Sequence, residues 1–521
     1  MPGFPHFVPM NVYDLHNPWI RFVVPTLGTG AAAAAAIWLL KAGNPLAAFC
    51  ILATLVMVQI AIIAPRVGLI LLLCVCAYSD LTKRLLVIFG TLSMDQVSNV
   101  LMAAPAVVMG LLFSIVTRRI FHMLRYRPME IFLAMVAVIL AAASFITALR
   151  RGGTLIEAAK DAVNHGVYTV AAVVGMRLFE NATQVEKFLR TALLIFIPVA
   201  LYGLVQLTFG MADFEVEYLR SGLTIEAKQL YEIRPRPFST LNSAGVYGTL
   251  CAGFALLALY PRFARRHRPL QPGETASSII MSLIFFAGAF GSLVRSSHIV
   301  WIIALIAFAC FRSGKGTLLF YSTAVGGFIA LILSAGFLLE HLPDIDPAHM
   351  VQSDYGVSVL TISTYSDRLK GFINLMSSKE MYSLFGLRDI TEMTDLTFNH
   401  DPISTILIEH GVVGLAVLLI GATVMVVWFH RKLLAMPKGR DRTLAVLLAA
   451  LLAGWTAAEV LVKAVITTFP LNALYWLFLG ALARLISRKK EPSEAPKEAP
   501  LLPLRASQLA GVRPFRPVRR A

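Results

Sequence analysis

The sequence predicts an all-α polytopic membrane protein with about 12–14 transmembrane helices, because a spanning helix needs roughly 20 mostly apolar residues. Three observations lead there. Of 521 residues, 57% are hydrophobic and 15% are charged, and mean hydropathy is +0.72. Apolar runs of spanning length recur almost end to end. Basic residues gather between alternate runs. A soluble domain has about a quarter of its residues charged, so a soluble enzyme is excluded. The 46 basic residues exceed the 30 acidic ones by 16. In so apolar a chain that excess reads as topology rather than nucleic-acid binding.

The elements follow in order. Residues 1–21 carry Asp14 and four prolines before the first apolar run, which is not the order of a cleavable signal. Candidate spans are 22–40, 45–64, 67–78, 100–116, 128–149, 154–178, 188–209, 245–260, 277–294, 298–311 and 317–339. After a polar insert come 403–429, 444–462 and 470–486. The third is short and reads as re-entrant or as paired with 85–89. The strong basic clusters are Arg118/Arg119/Arg125/Arg127, Arg262/Arg265/Arg266/Arg268, 312–315 and 431–442. An even number of spans separates each pair of clusters, so all four face the cytoplasm with both termini. Arg150 and Arg151 then fall on the outer side, against the trend. All five cysteines lie in apolar runs, so no disulfide framework is expected.

The chain divides into a helical region over 1–339, an insert over 340–402, helices over 403–488 and a tail over 489–521. The insert holds ten acidic and four basic residues, the reverse of the chain's overall sign, and reads as an external loop domain. A second outer loop spans 210–240. The tail is proline-rich and basic, the composition of a disordered segment near anionic headgroups. The segment 484–521 holds ten basic and three acidic residues and supplies much of the excess.

Walker-type, G-x-S-x-G and H-E-x-x-H motifs are absent. Asp344-Ile-Asp346 with His349 is a weak D-x-D match that reads better as an acidic turn. Glu459 and Lys463 read as an ion pair. Glu157, Asp161 and His165 give one span a polar face. The informative pattern is a set of cations on the outer side: Arg234 and Arg236 before a span, Arg295 with His298 one turn on, Arg368 in the insert, and His400-Asp401 before the next span. Singly, each arginine reads as a snorkelling anchor. Together they make an anion site, since guanidinium matches phosphate oxygens in a bidentate way and histidine accepts a proton near neutral pH.

Three stretches resemble the superfamily of O-antigen ligases and Wzy-type polysaccharide polymerases. They are Arg236-Pro-Phe-Ser-Thr-Leu-Asn242-Ser-Ala-Gly245, Ser292-Leu-Val-Arg295-Ser-Ser, and the run from Arg368 through Gly386 to His400 and Ile408-Glu409-His410-Gly411-Val-Val-Gly414. The chain departs from the family pattern in its Asn399-His400 order and its single Gly386. The resemblance implies a GT-C-like fold with the insert in the periplasm of a bacterial inner membrane. It implies a metal-independent glycosyltransferase without cofactor, using a polyprenyl-pyrophosphate-linked oligosaccharide. His400 and Arg295 would be catalytic. Arg234, Arg236, Arg295 and Arg368 would hold the donor pyrophosphate. Asn242, His298, Asp401 and His410 would support them, with His410 in reserve for His400. Implied partners are the bilayer, a glycan or lipid-linked acceptor and other polysaccharide assembly proteins. Polymerisation of O-antigen or exopolysaccharide is the first reading. Ligation to lipid A–core is the alternative, and a lipid-linked sugar flippase or a non-catalytic scaffold is the reading from another class.

Overall fold

The computed structural model describes residues 45–90, 100–122, 128–221, 236–264, 273–313, 316–324, 383–387, 402–462, 465–466 and 468–487, with isolated residues at 30, 34, 37, 40–41, 97, 326–327 and 330. They belong to one compact unit, Met1–Ile486; a second, Ser487–Ala521, is described at Ser487 alone. Among the described residues the chain is helical, and eight helices are long and apolar enough to cross a membrane. Ala103–Thr117 and Leu471–Ser487 are shorter apolar helices. The first span apart from 30, 34, 37 and 40, the external insert apart from 383–387 and Pro402, and the tail lie outside the described residues.

Helix α1 (Pro45–Ile63) turns at Ala64 into α2 (Pro65–Ile88). Proline suits the first position, where its missing N–H is not needed. Gly68 lets the two helices close on each other: a Cβ there would stand 2.7 Å from the Ala61 Cα. Helix α2 is one continuous helix of 24 residues, where the sequence suggested a short span and a separate 85–89 piece. Its polar end persists because Asp80, Lys83 and Arg84 all find partners inside the fold.

Helix α3 (Ala103–His122) precedes α4 (Pro128–Arg150), which forms a hairpin with α5 (Leu155–Leu178). Gly152 makes the turn at φ 80°. Thr154 and Glu157 then cap α5 reciprocally. Next come α6 (Ala182–Phe209), the short α7 (Asp213–Arg220), α8 (Ala244–Ala258), α9 (Tyr260–Ala264), α10 (Glu274–Gly291) and α11 (Arg295–Ser313). The last three are α12 (Pro402–Ala435), α13 (Arg440–Val462) and α14 (Leu471–Ser487). Gly175 and Gly480 let α5 and α14 meet backbone to backbone, since a Cβ on either would overlap a carbonyl of the other helix. Phe254 stacks near Trp455 and Phe478, with Phe196 and Phe285 edge-on at centroid distances of 5.2 and 5.6 Å. All five cysteines are free thiols.

Ion pairs orient the bundle. The N-terminal end of α2 meets the α5–α6 junction through Arg66 and Glu180 at 3.4 Å. Its C-terminal end meets α7, just beyond α6, through Arg84 and Glu215 at 3.0 Å. So α2 and α6 run parallel and α5 runs against them. Arg440 on Glu186, Arg177 on Glu130 and Arg484 on the Phe179 carbonyl add the starts of α13 and α4 and the end of α14 to the Glu186 end. Arg150 and Arg151 are thereby placed at the Arg84 end.

Candidate functional site

The Arg84 end is built from segments that are not helical. Arg84 is fully buried. Its guanidinium pairs with Glu215 and donates to the carbonyls of Ser239 (2.8 Å) and Leu241 (2.7 Å), while lying 4.5 Å over the Phe238 ring. Gln206, at the end of α6, donates to Glu215 (2.7 Å) and accepts from the backbone N–H of Phe238 (3.1 Å) and Ser239 (2.6 Å). Thr240 donates to the Ala77 carbonyl. These hydrogen bonds tie the irregular stretch to protein rather than water, as membrane depth requires. The product is a rigid 236–243 segment that presents Arg236 on the exposed side and ends at Ser243, whose hydroxyl caps α8 by accepting from the Val246 N–H.

The turn from α10 to α11 packs against the first turns of α8. Gly248 faces the Ser292 and Ser297 hydroxyls so closely that a Cβ would overlap both. Ser292 accepts from the Val294 N–H (3.3 Å) and donates to the Ala289 carbonyl (2.7 Å). Arg295 opens α11 at this turn; its side chain lies outside the described residues. Two non-glycine residues here sit in the left-handed region, Ser239 and Leu293, both at φ 56°. Such conformations cost about 1–3 kcal/mol each and collect at functional sites. Both fall inside the short motifs 236–245 and 292–297.

Buried polar atoms that make no hydrogen bond occur in this region, as they do elsewhere in the bundle. Asn242 Oδ1, Thr249 Oγ1, Ser296 Oγ and His298 Nε2 are buried and make no hydrogen bond. The His298 ring packs on Phe290 at 4.2 Å. A buried polar atom left unmatched costs about 1–3 kcal/mol, so a cluster of them points to a missing ligand or to ordered water.

Helix α12 is broken at Gly411 (φ 67°, ψ −167°), a conformation open essentially to glycine alone. The break is filled by residues 383–387. Val412 N–H donates to Ser383 O (3.0 Å), Val413 N–H to Leu384 O (3.2 Å) and Leu387 N–H to Ile408 O (3.0 Å). Arg150 clamps the Phe385 and Gly386 carbonyls, and Arg151 clamps those of Leu387 (3.0 Å) and Ile408 (2.7 Å). Burial pushes the Arg151 guanidinium below its ordinary pKa, against the opposing pull of Glu409 and Asp161. His410 is buried at 5% exposure, its Nδ1 2.9 Å from the Ser144 hydroxyl and its Nε2 4.0 Å from Glu409.

The sequence-derived candidates divide accordingly. Arg236, Asn242, the Arg295 backbone and His298 come together at the Arg84 end; His410 lies at that end too, inside the α4–α12 packing. Arg234, Arg368, His400 and Asp401 lie outside the described residues, as do Asp344, Asp346, His349 and Lys463. Glu459 accepts from the backbone N–H of Val465 (2.6 Å) and Ile466 (2.8 Å). Arg84, Glu215 and Gln206 are absent from the sequence reading, although an ionisable residue beside an apolar run is the expected signal of a site. Among the described residues no group of three or more His, Cys, Asp or Glu is arranged to hold a metal ion. No family model, curated protein or solved structure matches the chain.

Proposed function

We propose that the chain is a membrane glycosyltransferase that works on a polyprenyl-pyrophosphate-linked glycan, with its site at the Arg84 end. One observation carries this reading. The 236–243 segment leads into α8, whose Gly248 packs on Ser292 and Ser297 of the 292–298 turn, and each of the two stretches holds one strained residue and unmatched buried polar atoms beside an arginine. The positive-inside pattern assigns this end to the periplasm, because the basic clusters at 312–315 and 431–442 belong to the other end.

The chemistry fits the residues. The bond from the anomeric carbon to the pyrophosphate oxygen breaks, and its electron pair leaves with the pyrophosphate. Arg236, Arg295 and Arg368 stabilise that growing negative charge. The acceptor hydroxyl oxygen bonds to the anomeric carbon, and its proton passes to His400. His400 stands in the sequence two residues before Pro402, the first residue of α12. The donor is already activated, so no nucleotide is needed on that side of the membrane. The inward-facing orphan atoms of Asn242 and His298 are suited to hydroxyls of the sugar.

A strain lacking the chain tests this reading. Accumulation of single-repeat lipid-linked glycan identifies a polymerase, and long polymer unattached to lipid A–core identifies a ligase. Complementation with Arg295→Ala or His400→Ala is expected to lower glycan transfer by at least about a hundredfold with normal membrane insertion. Full transfer by both variants would overturn the assignment. Lipid-linked sugar held on the cytoplasmic face in the strain lacking the chain would indicate a flippase.

A further inference from the structure

A second cationic cluster sits at the Glu186 end, and it differs from its neighbours in having no acid. There, Arg440 and Arg190 share Glu186, Arg190 also meets Glu274, and Arg177 meets Glu130. Arg312 ends α11, while Lys438 and Arg442 flank the start of α13. These three line a cavity of about 340 Å³ whose wall is Phe263, Phe308 and Val446. Among the described residues none of the three has a carboxylate partner, and Asp441 is not part of the lining. Arg442 donates to the Met436 carbonyl at 3.2 Å, a contact that leaves its charge uncancelled. The N-terminal end of the 23-residue α13 adds partial positive charge beside them.

The cavity is amphipathic in a definite order. Phe263 and Phe308 pack at 4.4 Å, with Phe308 and Val446 buried, while Arg312 and Lys438 are exposed. Arg312 closes one candidate span and Arg442 lies in the first turn of another, so the cations stand where hydrocarbon gives way to headgroups. Cations at that level above an aromatic floor complement a molecule with a phosphate at one end and an apolar body at the other. A free, hydrated phosphate would leave the rings unused. The chain's own tail is a poor occupant, because 489–521 carries eight basic and three acidic residues. We propose that this cavity binds an anionic phospholipid, with its phosphate on Arg312, Lys438 and Arg442 and its glycerol–acyl junction against Phe263 and Phe308. This site is independent of the glycan reaction and lies at the opposite end of the bundle.

Native mass spectrometry of the full chain in a neutral detergent tests it, with phosphatidylglycerol, phosphatidylcholine and inorganic phosphate as probes. Phosphatidylglycerol is expected to be retained over phosphatidylcholine and to resist millimolar phosphate. Each neutralised cation should reduce its retention about fivefold, so Arg312→Gln/Lys438→Gln/Arg442→Gln should abolish the preference. Arg66→Gln, a paired cation at the same end, should leave it unchanged. If the triple variant does not elute as the parent does, Lys438→Gln carries the test at an exposed position, with about a fivefold loss expected. Equal retention of both lipids, a preference unaffected by these substitutions, or displacement by phosphate would overturn the proposal.

Discussion

The two ends of the bundle use arginine in opposite ways. At the Glu186 end, arginines join helix to helix through carboxylates: Arg66 to Glu180, Arg177 to Glu130, Arg190 to Glu274 and Arg440 to Glu186. Arg484, which caps the Phe179 and Glu180 carbonyls, and Arg442, which donates to the Met436 carbonyl, are exceptions. At the Arg84 end, arginines hold backbone carbonyls of irregular segments: Ser239 and Leu241 for Arg84, Phe385 and Gly386 for Arg150, Leu387 and Ile408 for Arg151. A carboxylate cancels the charge it binds. A carbonyl satisfies the donors and leaves the charge. The Arg84 end therefore combines rigid non-helical backbone with a surviving positive field, which is what an anionic donor needs and a helix-to-helix tie does not.

The sharpest way to break this contrast is at Arg84, which belongs to both kinds. Arg84→Ala strands the fully buried Glu215 and releases two carbonyls. Removing one partner of a buried pair costs about 3–5 kcal/mol, so thermal unfolding in detergent should show the largest loss of any substitution considered. Arg84→Lys should recover little, since one ammonium cannot reach Glu215, Ser239 and Leu241 in the planar geometry of a guanidinium. A stable Arg84→Ala protein would mean that the 236–243 segment holds itself.

Gly411→Ala comes next. The conformation costs about 1–3 kcal/mol for any other residue, and the new Cβ would meet the Leu384 carbonyl carbon at 2.6 Å. Residues 383–387 should be expelled from the break. The measurement is proteolysis of membrane-embedded protein between Leu387 and Pro402, expected to accelerate while the rest of the bundle stays intact. Unchanged cleavage would show that the Arg150–Arg151 clamp alone suffices.

These two positions also show what the sequence could and could not disclose. Apolar runs announced the helices, because burial in lipid imposes composition over some 20 residues. Parity of the basic clusters gave the order of the two ends, and ion pairs such as Arg440–Glu186 place helix ends in the same alternation. Candidate residues on the short motifs were found because Arg236, Asn242 and Arg295 stand next to span boundaries. Arg84 was passed over because the run before it ends at Tyr78, and nothing in the spacing says that the helix continues with its charges inside. Arg150 and Arg151 looked misplaced by charge. Their partners are carbonyls 235 to 257 residues away, and a carbonyl has no sequence signature. Pairing with backbone is invisible to any reading based on residue type.

Arg150→Ala and Arg151→Ala sharpen the comparison at intermediate size. Arg151→Ala orphans the Leu387 carbonyl, at about 1–3 kcal/mol, whereas the Phe385 and Gly386 carbonyls released by Arg150→Ala keep the Ser383 hydroxyl and lose only a charged donor. The expected readout is coupled: in a double-mutant cycle the two should be non-additive, because they hold one segment. Both should also weaken glycan transfer more than they weaken the fold. Additive effects confined to stability would reduce these arginines to ordinary anchors.

Arg66→Ala is the smallest expected effect and the control for all the others. The Arg66 and Glu180 side chains are 41% and 66% exposed and 3.4 Å apart. A pair in that setting contributes about 0–1 kcal/mol and is screened by salt. It is also a carboxylate tie at the end without the proposed glycan site. Unfolding temperature should barely move, glycan transfer should stay at the parent level, and raising the salt concentration should erase what difference there is. If Arg66→Ala instead cost as much as Arg151→Ala, the kind of partner would be the wrong axis of comparison, and the division of labour between the two ends would fall with it.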